Sequence, residues 1–293
     1  MRSVYEPSCM LNTFSFKGFQ LIPYDQASNG RSDASWRSER LSLADFVERQ
    51  IRRGKRVTPL LSIPGVSLNT FRRDWLHAVD QGVGADALGN LFKVFVSKMP
   101  GSSQKEKVAA LWEEVDRWYH INHVKDKLVG LRWGGIQQKK SSPKLKGNAA
   151  CVRALIPFAD ETAQKLLDTN DLVESAMLSL IRNLHECYKC LALDEPGWID
   201  RFRSCSANFA EQYAGLESQA EKLDWKVKPK MHVFLEMSLD VSKPSLSWTY
   251  RDEDYGGSIA KLCRMRGRWH RVISYSRRVL DMFHMGNPVP RIL

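Results

Sequence analysis

Apolar residues along most of this chain recur three and four positions apart, the period of a helix face turned towards a core. Leu43, Phe46, Val47 and Ile51 mark the first such face, within 41–53. Trp75, Leu76, Val79, Val83, Leu88, Leu91, Phe92 and Phe95 carry a longer one through 71–99, where Gly82 and Gly84 predict a division into two helices. Val108, Leu111, Trp112, Val115 and Tyr119 predict an amphipathic helix over 104–120. Three more periodic segments, 149–168, 171–193 and 196–223, are bounded by polar, Pro or Gly residues and predict an antiparallel helical bundle. Residues 258–285 add one or two closing helices.

Elsewhere the helical period is lost. Phe14, Phe16, Phe19 and Leu21 suggest a short strand, followed by a polar loop over 26–35. A short apolar run over 58–63 ends at Pro64 and Gly65, and the apolar segment 231–239 is too short for its period to separate helix from strand. Between 129 and 147, Gly130, Gly134, Gly135, Ser141, Ser142 and Pro143 are interleaved with lysines and read as an exposed basic loop. The expected fold is therefore mainly α within the α+β class: the remnant of a mixed sheet around 14–63, a large helical insertion, and C-terminal helices. The chain divides by pattern into 1–65, 66–147, 148–227 and 228–293.

Composition narrows the function classes. With 293 residues, 43% of them hydrophobic, the chain can fill a core, and no apolar run approaches the roughly 20 residues of a membrane span. The first residues, Met1 to Pro7, lack the apolar stretch of a signal peptide. A soluble intracellular protein without a membrane partner is expected. The six cysteines are scattered rather than regularly spaced, which favours reduced packing thiols over a disulfide scaffold. A net charge of +11 and a pI near 9.4 point towards polyanions such as DNA or RNA.

Two segments are candidates for chemistry. In the first, Asp74, His77 and Asp80 follow Pro64-Gly65-Val66-Ser67 at one-turn spacing, which can gather oxygen ligands near one helix end for Mg²⁺ or Mn²⁺. The plainer reading is a helix start capped by Asp74, with His77 partly buried. In the second, Asp252, Glu253 and Asp254 precede a stretch with no acidic residue from Gly256 to Leu280, carrying Lys261, Arg264, Arg266, Arg268, Arg271, Arg277 and Arg278. Acidic residues at a helix start are favoured by the helix dipole alone. The cations behind them suit a nucleic-acid backbone. Lys139, Lys140, Lys144 and Lys146 form a second candidate phosphate contact.

These two segments resemble those of eukaryotic cut-and-paste DNA transposases. The run from Asp74 to Gly82 is similar to the D-x-x-H-x-x-D-x-G pattern around that family's second catalytic aspartate. Pro229-Lys230-Met231-His232, followed by Tyr250 to Gly257, is similar to the PKxH and late acidic segments. The resemblance implies an RNase H-like core, Asp74 and Glu253 as ligands of Mg²⁺ or Mn²⁺, His77 orienting phosphate, and a nuclear DNA-binding protein. The departures are specific. No counterpart of the first catalytic aspartate precedes Asp74, Cys9 lacks the partner of the family's cysteine pair, and Glu236 stands where a second histidine is common. A degenerate, noncatalytic transposase relative is therefore expected. A noncatalytic helical scaffold or adaptor with a basic face, and a functionless mobile-element relic, are the other two readings.

Remaining candidates have blander accounts. Cys187 and Cys190, with His185 before them, form one CxxC without a second ligand pair, so packing is expected. His120 and His123 fall where a helix should end. Trp112, Trp118, Trp133, Trp225, Trp248 and Trp269 are expected to pack rather than to stack on bases. P-loop, dinucleotide, GxSxG and HExxH patterns are absent from the sequence.

Overall fold

A computed structural model describes residues 42–66, 70, 72–137, 140–192, 195–220, 223–239, 243–266, 277 and 281. They divide into two compact units, 1–247 and 248–293.

The first unit is built from helices. In chain order these are α1 (Leu43–Arg52), a 3₁₀ turn (Pro59–Ser62), a π-helical segment (Leu76–Val83), α2 (Gly84–Lys98), α3 (Gln104–Ile121) and the short α4 (Trp133–Ile136). Then come α5 (Ala149–Leu166), α6 (Leu172–Ala192), α7 (Trp198–Gln219), α8 (Pro229–Leu239) and a 3₁₀ turn (Pro244–Leu246). The second unit contains α9 (Tyr250–Arg266).

Local chemistry sets many of the ends. Ser42, Ser103 and Asn148 accept the backbone N–H three residues on, which satisfies an orphan donor at the starts of α1, α3 and α5. At the end of α3, His123 takes the left-handed position at φ 50, and the Val124 N–H returns to the Tyr119 carbonyl at 3.1 Å. His123 thus terminates a helix, and His120 sits 3.5 Å from Asp116 on the same helix.

The core lies where α2, α5, α6, α7, α8 and the π-helical segment meet. The longest packed interface joins α6 to α7, and α8 lies across α7 and the π-helical segment. Leu88, Leu91, Phe92 and Phe95 of α2, with Leu155, Ile156 and Phe158 of α5, are buried as their spacing predicts. All residues from Met231 to Ser238 of α8 are buried, so this segment has no polar stripe to give it a period. It is a helix surrounded by other helices.

The mixed-sheet, RNase H-like expectation is overturned: among the described residues there is no strand. The apolar run 58–63 becomes a 3₁₀ turn, for which Thr58 supplies the cap and Pro59 the first position. Proline fits the first turn of a helix and cannot donate to a sheet ladder, so this run favours a turn. The strand expected at 14–21 lies outside the described residues, as does Cys9.

The 129–147 segment is also less open than expected. Ile136, Pro143 and Leu145 are buried, and the Leu145 N–H donates to the Ala85 carbonyl of α2 at 2.9 Å. It is a strap tied to α2.

Candidate functional site

The Asp74 to Gly82 segment and the Pro229 to His232 segment meet in space. Trp75, fully buried, anchors the first: its ring makes edge contact with Tyr188 of α6 at 5.3 Å and with Phe234 of α8 at 5.9 Å. The following turn, Leu76–Val83, is π-helical, with Gly82 leaving helical dihedrals at φ −117 and ψ −112. Such segments occur often at functional sites.

Lys230, from Pro229-Lys230-Met231-His232 at the start of α8, closes on this turn. Its ammonium donates to the His77 carbonyl at 2.6 Å and to the Gln81 carbonyl at 3.3 Å. Lys144 reaches the same Gln81 carbonyl at 2.7 Å from the strap. A Cβ on Gly82 would lie 2.7 Å from Lys230 Cδ, so glycine lets the lysine stem lie across the turn. The sequence segments separated by some 150 residues are thus one packed unit around irregular backbone carbonyls.

The acidic side chains here are committed to structural partners. Asp74 accepts from the backbone N–H groups of Leu76 at 3.3 Å and His77 at 3.2 Å, and its Oδ2 also bonds the His77 ring. This is the capped helix start that the plainer sequence reading described. Asp80 is fully buried and accepts from the Tyr188 hydroxyl, away from the half-exposed His77 ring. Glu236, almost fully buried, pairs with Arg73 at 3.3 Å, and His232 beside it on α8 is buried too. Deeper in α2, Asp86 pairs with Lys228 at 2.8 Å, and Asn90 accepts the Trp225 N–H at 2.9 Å.

The Asp74 carboxylate is engaged by its own helix start. Among the described residues no group of three or more His, Cys, Asp or Glu side chains is arranged to hold a metal. The arrangement instead does what buried ion pairs do when each charge has a partner: it fixes one register of α8 against the π-helical turn.

The cysteine and histidine candidates of α6 resolve into packing. Cys187 is fully buried with its Sγ 3.6 Å from Ser206 Oγ, and burial pushes its thiol well above the ordinary range. Burial also raises the thiols of Cys190 and Cys205. A thiol held protonated is a poor metal ligand.

His185 is held elsewhere, with Nδ1 2.7 Å from Asp160 Oδ2. Burial, the largest influence on Asp160, would raise its pKa. Hydrogen bonds from His185 and Gln164 and the charges of His185 and Arg182 outweigh it and hold the carboxyl below its ordinary range. The unfolded chain therefore binds the extra proton, and the stabilisation is present above the unfolded carboxyl pKa of about 4 and lost as pH falls through the lower folded value. Asp160→Asn is expected to lower stability most near neutral pH, with the gap to wild type closing in acid. Urea midpoints of both proteins at pH 7 and pH 3 check this, and an undiminished gap at pH 3 rejects it.

The basic candidates separate by environment. Lys140 and Lys146 are exposed, whereas Lys144 is held against Gln81 and the α2 backbone. In α9, every residue from Arg251 to Ser258, and Ala260 and Lys261, is exposed. Asp252 and Glu253 occupy its first turn, with the Glu253 N–H donating to the Thr249 carbonyl at 2.9 Å. Arg264 and Arg266 belong to the last turn of α9, and Arg277 is exposed. Lys139, Arg268, Arg271 and Arg278 lie outside the described residues. Among the described residues no helix is long and apolar enough to cross a membrane.

The sequence reading missed the half-buried partners of the buried acids of this site. Tyr188, Lys228 and Arg73 sit in otherwise ordinary amphipathic or turn contexts, and only the fold brings them to Asp80, Asp86 and Glu236. No family model, curated protein or solved structure matches the chain.

Proposed function

We propose that this protein is a noncatalytic DNA-binding relative of transposases that grips duplex DNA through its C-terminal basic segment. The observation that carries the reading is the charge order of α9. The acidic first turn of α9 is followed in the sequence, from Gly256 to Leu280, by cations without a carboxylate, and the residues of α9 from Arg251 to Ser258 are exposed. A helix surface that stays exposed gains little from packing. A polyanion supplies what is missing, because each phosphate neutralised releases condensed counterions.

The transposase ancestry is supported by the joining of the two resembling segments, Asp74 to Gly82 and Pro229 to His232, through Lys230. The structural engagement of Asp74 favours binding without strand cleavage.

Replacing Arg264, Arg266, Arg268 and Arg271 by Ala is expected to weaken binding to a 30-base-pair duplex and to reduce the slope of log K against log salt by up to about 0.9 per lost contact. Fluorescence anisotropy across a salt series reads this. An unchanged slope rejects this segment as the footprint. Tight binding of acidic polypeptide with no binding of DNA would favour the adaptor reading.

A further inference from the structure

We propose a second DNA-backbone contact in the first unit, formed by Arg49, Arg53, Lys55 and Arg56 at the C-terminal end of α1. It rests on the DNA-binding reading above and places a further part of the footprint on a different unit of the chain.

The sequence concentrates charge here. Between Glu48 and Asp74 there is no acidic residue, while Arg49, Arg52, Arg53, Lys55, Arg56, Arg72 and Arg73 all fall in the interval. A surface kept soluble by charge alone intersperses both signs.

The backbone then folds these charges together. Gly54 takes a left-handed φ of 64. Its N–H donates to the Ile51 carbonyl at 2.9 Å, and the Lys55 N–H returns to the Gln50 carbonyl at 2.9 Å. Those two bonds are the Schellman ending of a helix, which turns the chain back over its own last turn. The Lys55 backbone is thereby held against the last turn of α1, the helix end that carries Arg49, Arg52 and Arg53, and Arg56 follows directly. Phe46 and Gln50 of α1 are buried.

The neutralisation left to these cations is small. Glu48 is taken by Arg52 at 2.6 Å. Arg53, Lys55 and Arg56 are exposed, Arg49 is half-exposed, and among the described residues none of the four has a carboxylate partner. The negative end of the helix dipole is equivalent to only about half a charge, which a single cation satisfies. Four further cations in eight residues repel one another, and that repulsion is relieved by a closely spaced polyanion. The phosphates of one DNA strand lie about 3.4 Å apart along the axis, so neighbouring phosphates can be met by neighbouring side chains of one helix end. Arginine suits this role because its planar fork binds phosphate oxygens in pairs.

The test uses the full-length chain and a 30-base-pair DNA duplex, with anisotropy measured across a salt series. The variant Arg49→Gln, Arg53→Gln, Lys55→Gln, Arg56→Gln is expected to weaken binding and to lower the salt slope by about 2 to 3.6, the upper figure corresponding to four lost contacts at about 0.9 each. A variant that keeps the charge, with Arg49, Arg53 and Arg56 each changed to Lys, is expected to retain most of the slope, which separates electrostatic contact from a folding defect. If the glutamine variant matches wild type in slope and affinity while the C-terminal variant is flattened, this contact is overturned and the DNA-binding reading stands. If wild type binds no DNA, both fall. A loss seen only on an RNA duplex also overturns the proposal.

Discussion

Replacing Trp75 by Ala is expected to cost about 3–5 kcal/mol, a large fraction of the stability of an ordinary domain. The indole is fully buried where three helices converge, with ring centroids of Tyr188, Phe202 and Phe234 at 5.3, 5.9 and 5.9 Å. Truncation leaves a cavity bordered by aromatic rings that cannot easily collapse, because each belongs to a different helix. The same change removes the anchor that starts the π-helical turn, so Lys230 and the α8 register should loosen with it. Trp75→Phe provides the contrast. Among the described residues the buried indole Nε1 has no hydrogen-bond partner, a state that costs about 1–3 kcal/mol for a polar group. Phenylalanine removes that group while keeping most of the ring contact, so its loss is expected to be much smaller than that of alanine. Denaturant midpoints for the three proteins check the order. Equal losses for Phe and Ala would mean that aromatic contact at this position does not carry the stability.

How far the sequence foretold the molecule depends on which force writes each feature. Helices with one buried face, such as α3 and α5, were legible because burial on one side imprints a 3.6-residue period. The division of 71–99 at Gly82 and Gly84 was legible for the same reason, with glycine interrupting the pattern. Helix α8 was not, since burial all round erases the period. The run 58–63 was read as a short apolar run within the span of an expected sheet remnant, whereas in the fold the fixed φ and missing N–H of Pro59 suit a 3₁₀ turn.

Within the candidate site, Asp74, His77 and the Pro229 to His232 segment stood out from the sequence, and their segments do meet. The local backbone reaches Asp74 first: two N–H groups and a histidine one turn away engage its carboxylate. The pairs Asp86 with Lys228 and Glu236 with Arg73 were invisible, since long-range ion pairing has no sequence period. The strap between α4 and α5 was read as a solvated loop on its lysines and glycines. Its three buried apolar residues, Ile136, Pro143 and Leu145, are too widely spaced to announce a packed segment.

That strap produces the second large effect. Gly89 lies inside α2, and a Cβ there would sit 2.3 Å from the backbone N of Lys144, 2.4 Å from its Cα and 2.7 Å from its carbonyl carbon. Glycine inside a helix normally costs about 1 kcal/mol relative to alanine, so Gly→Ala at such a position would ordinarily stabilise. Here the obstacle is backbone, which cannot rotate away as a side chain does. The strap is also held by the Leu145 N–H to the Ala85 carbonyl at 2.9 Å and the Lys146 N–H to the Gly135 carbonyl at 2.7 Å. Accommodating the methyl therefore means breaking hydrogen bonds, withdrawing Leu145 from the core and pulling Lys144 from the Gln81 carbonyl. Overpacking of this kind costs about 3 kcal/mol or more, which exceeds the gain in helix propensity. Gly89→Ala should accordingly be strongly destabilised. Gly215→Ala in α7, where a Cβ meets nothing within 4 Å, should be stabilised by about 0.5–1 kcal/mol. Thermal midpoints moving in opposite directions for two identical substitutions in two helices would isolate the close approach as the cause. A neutral or stabilised Gly89→Ala would show that the strap does not press on α2.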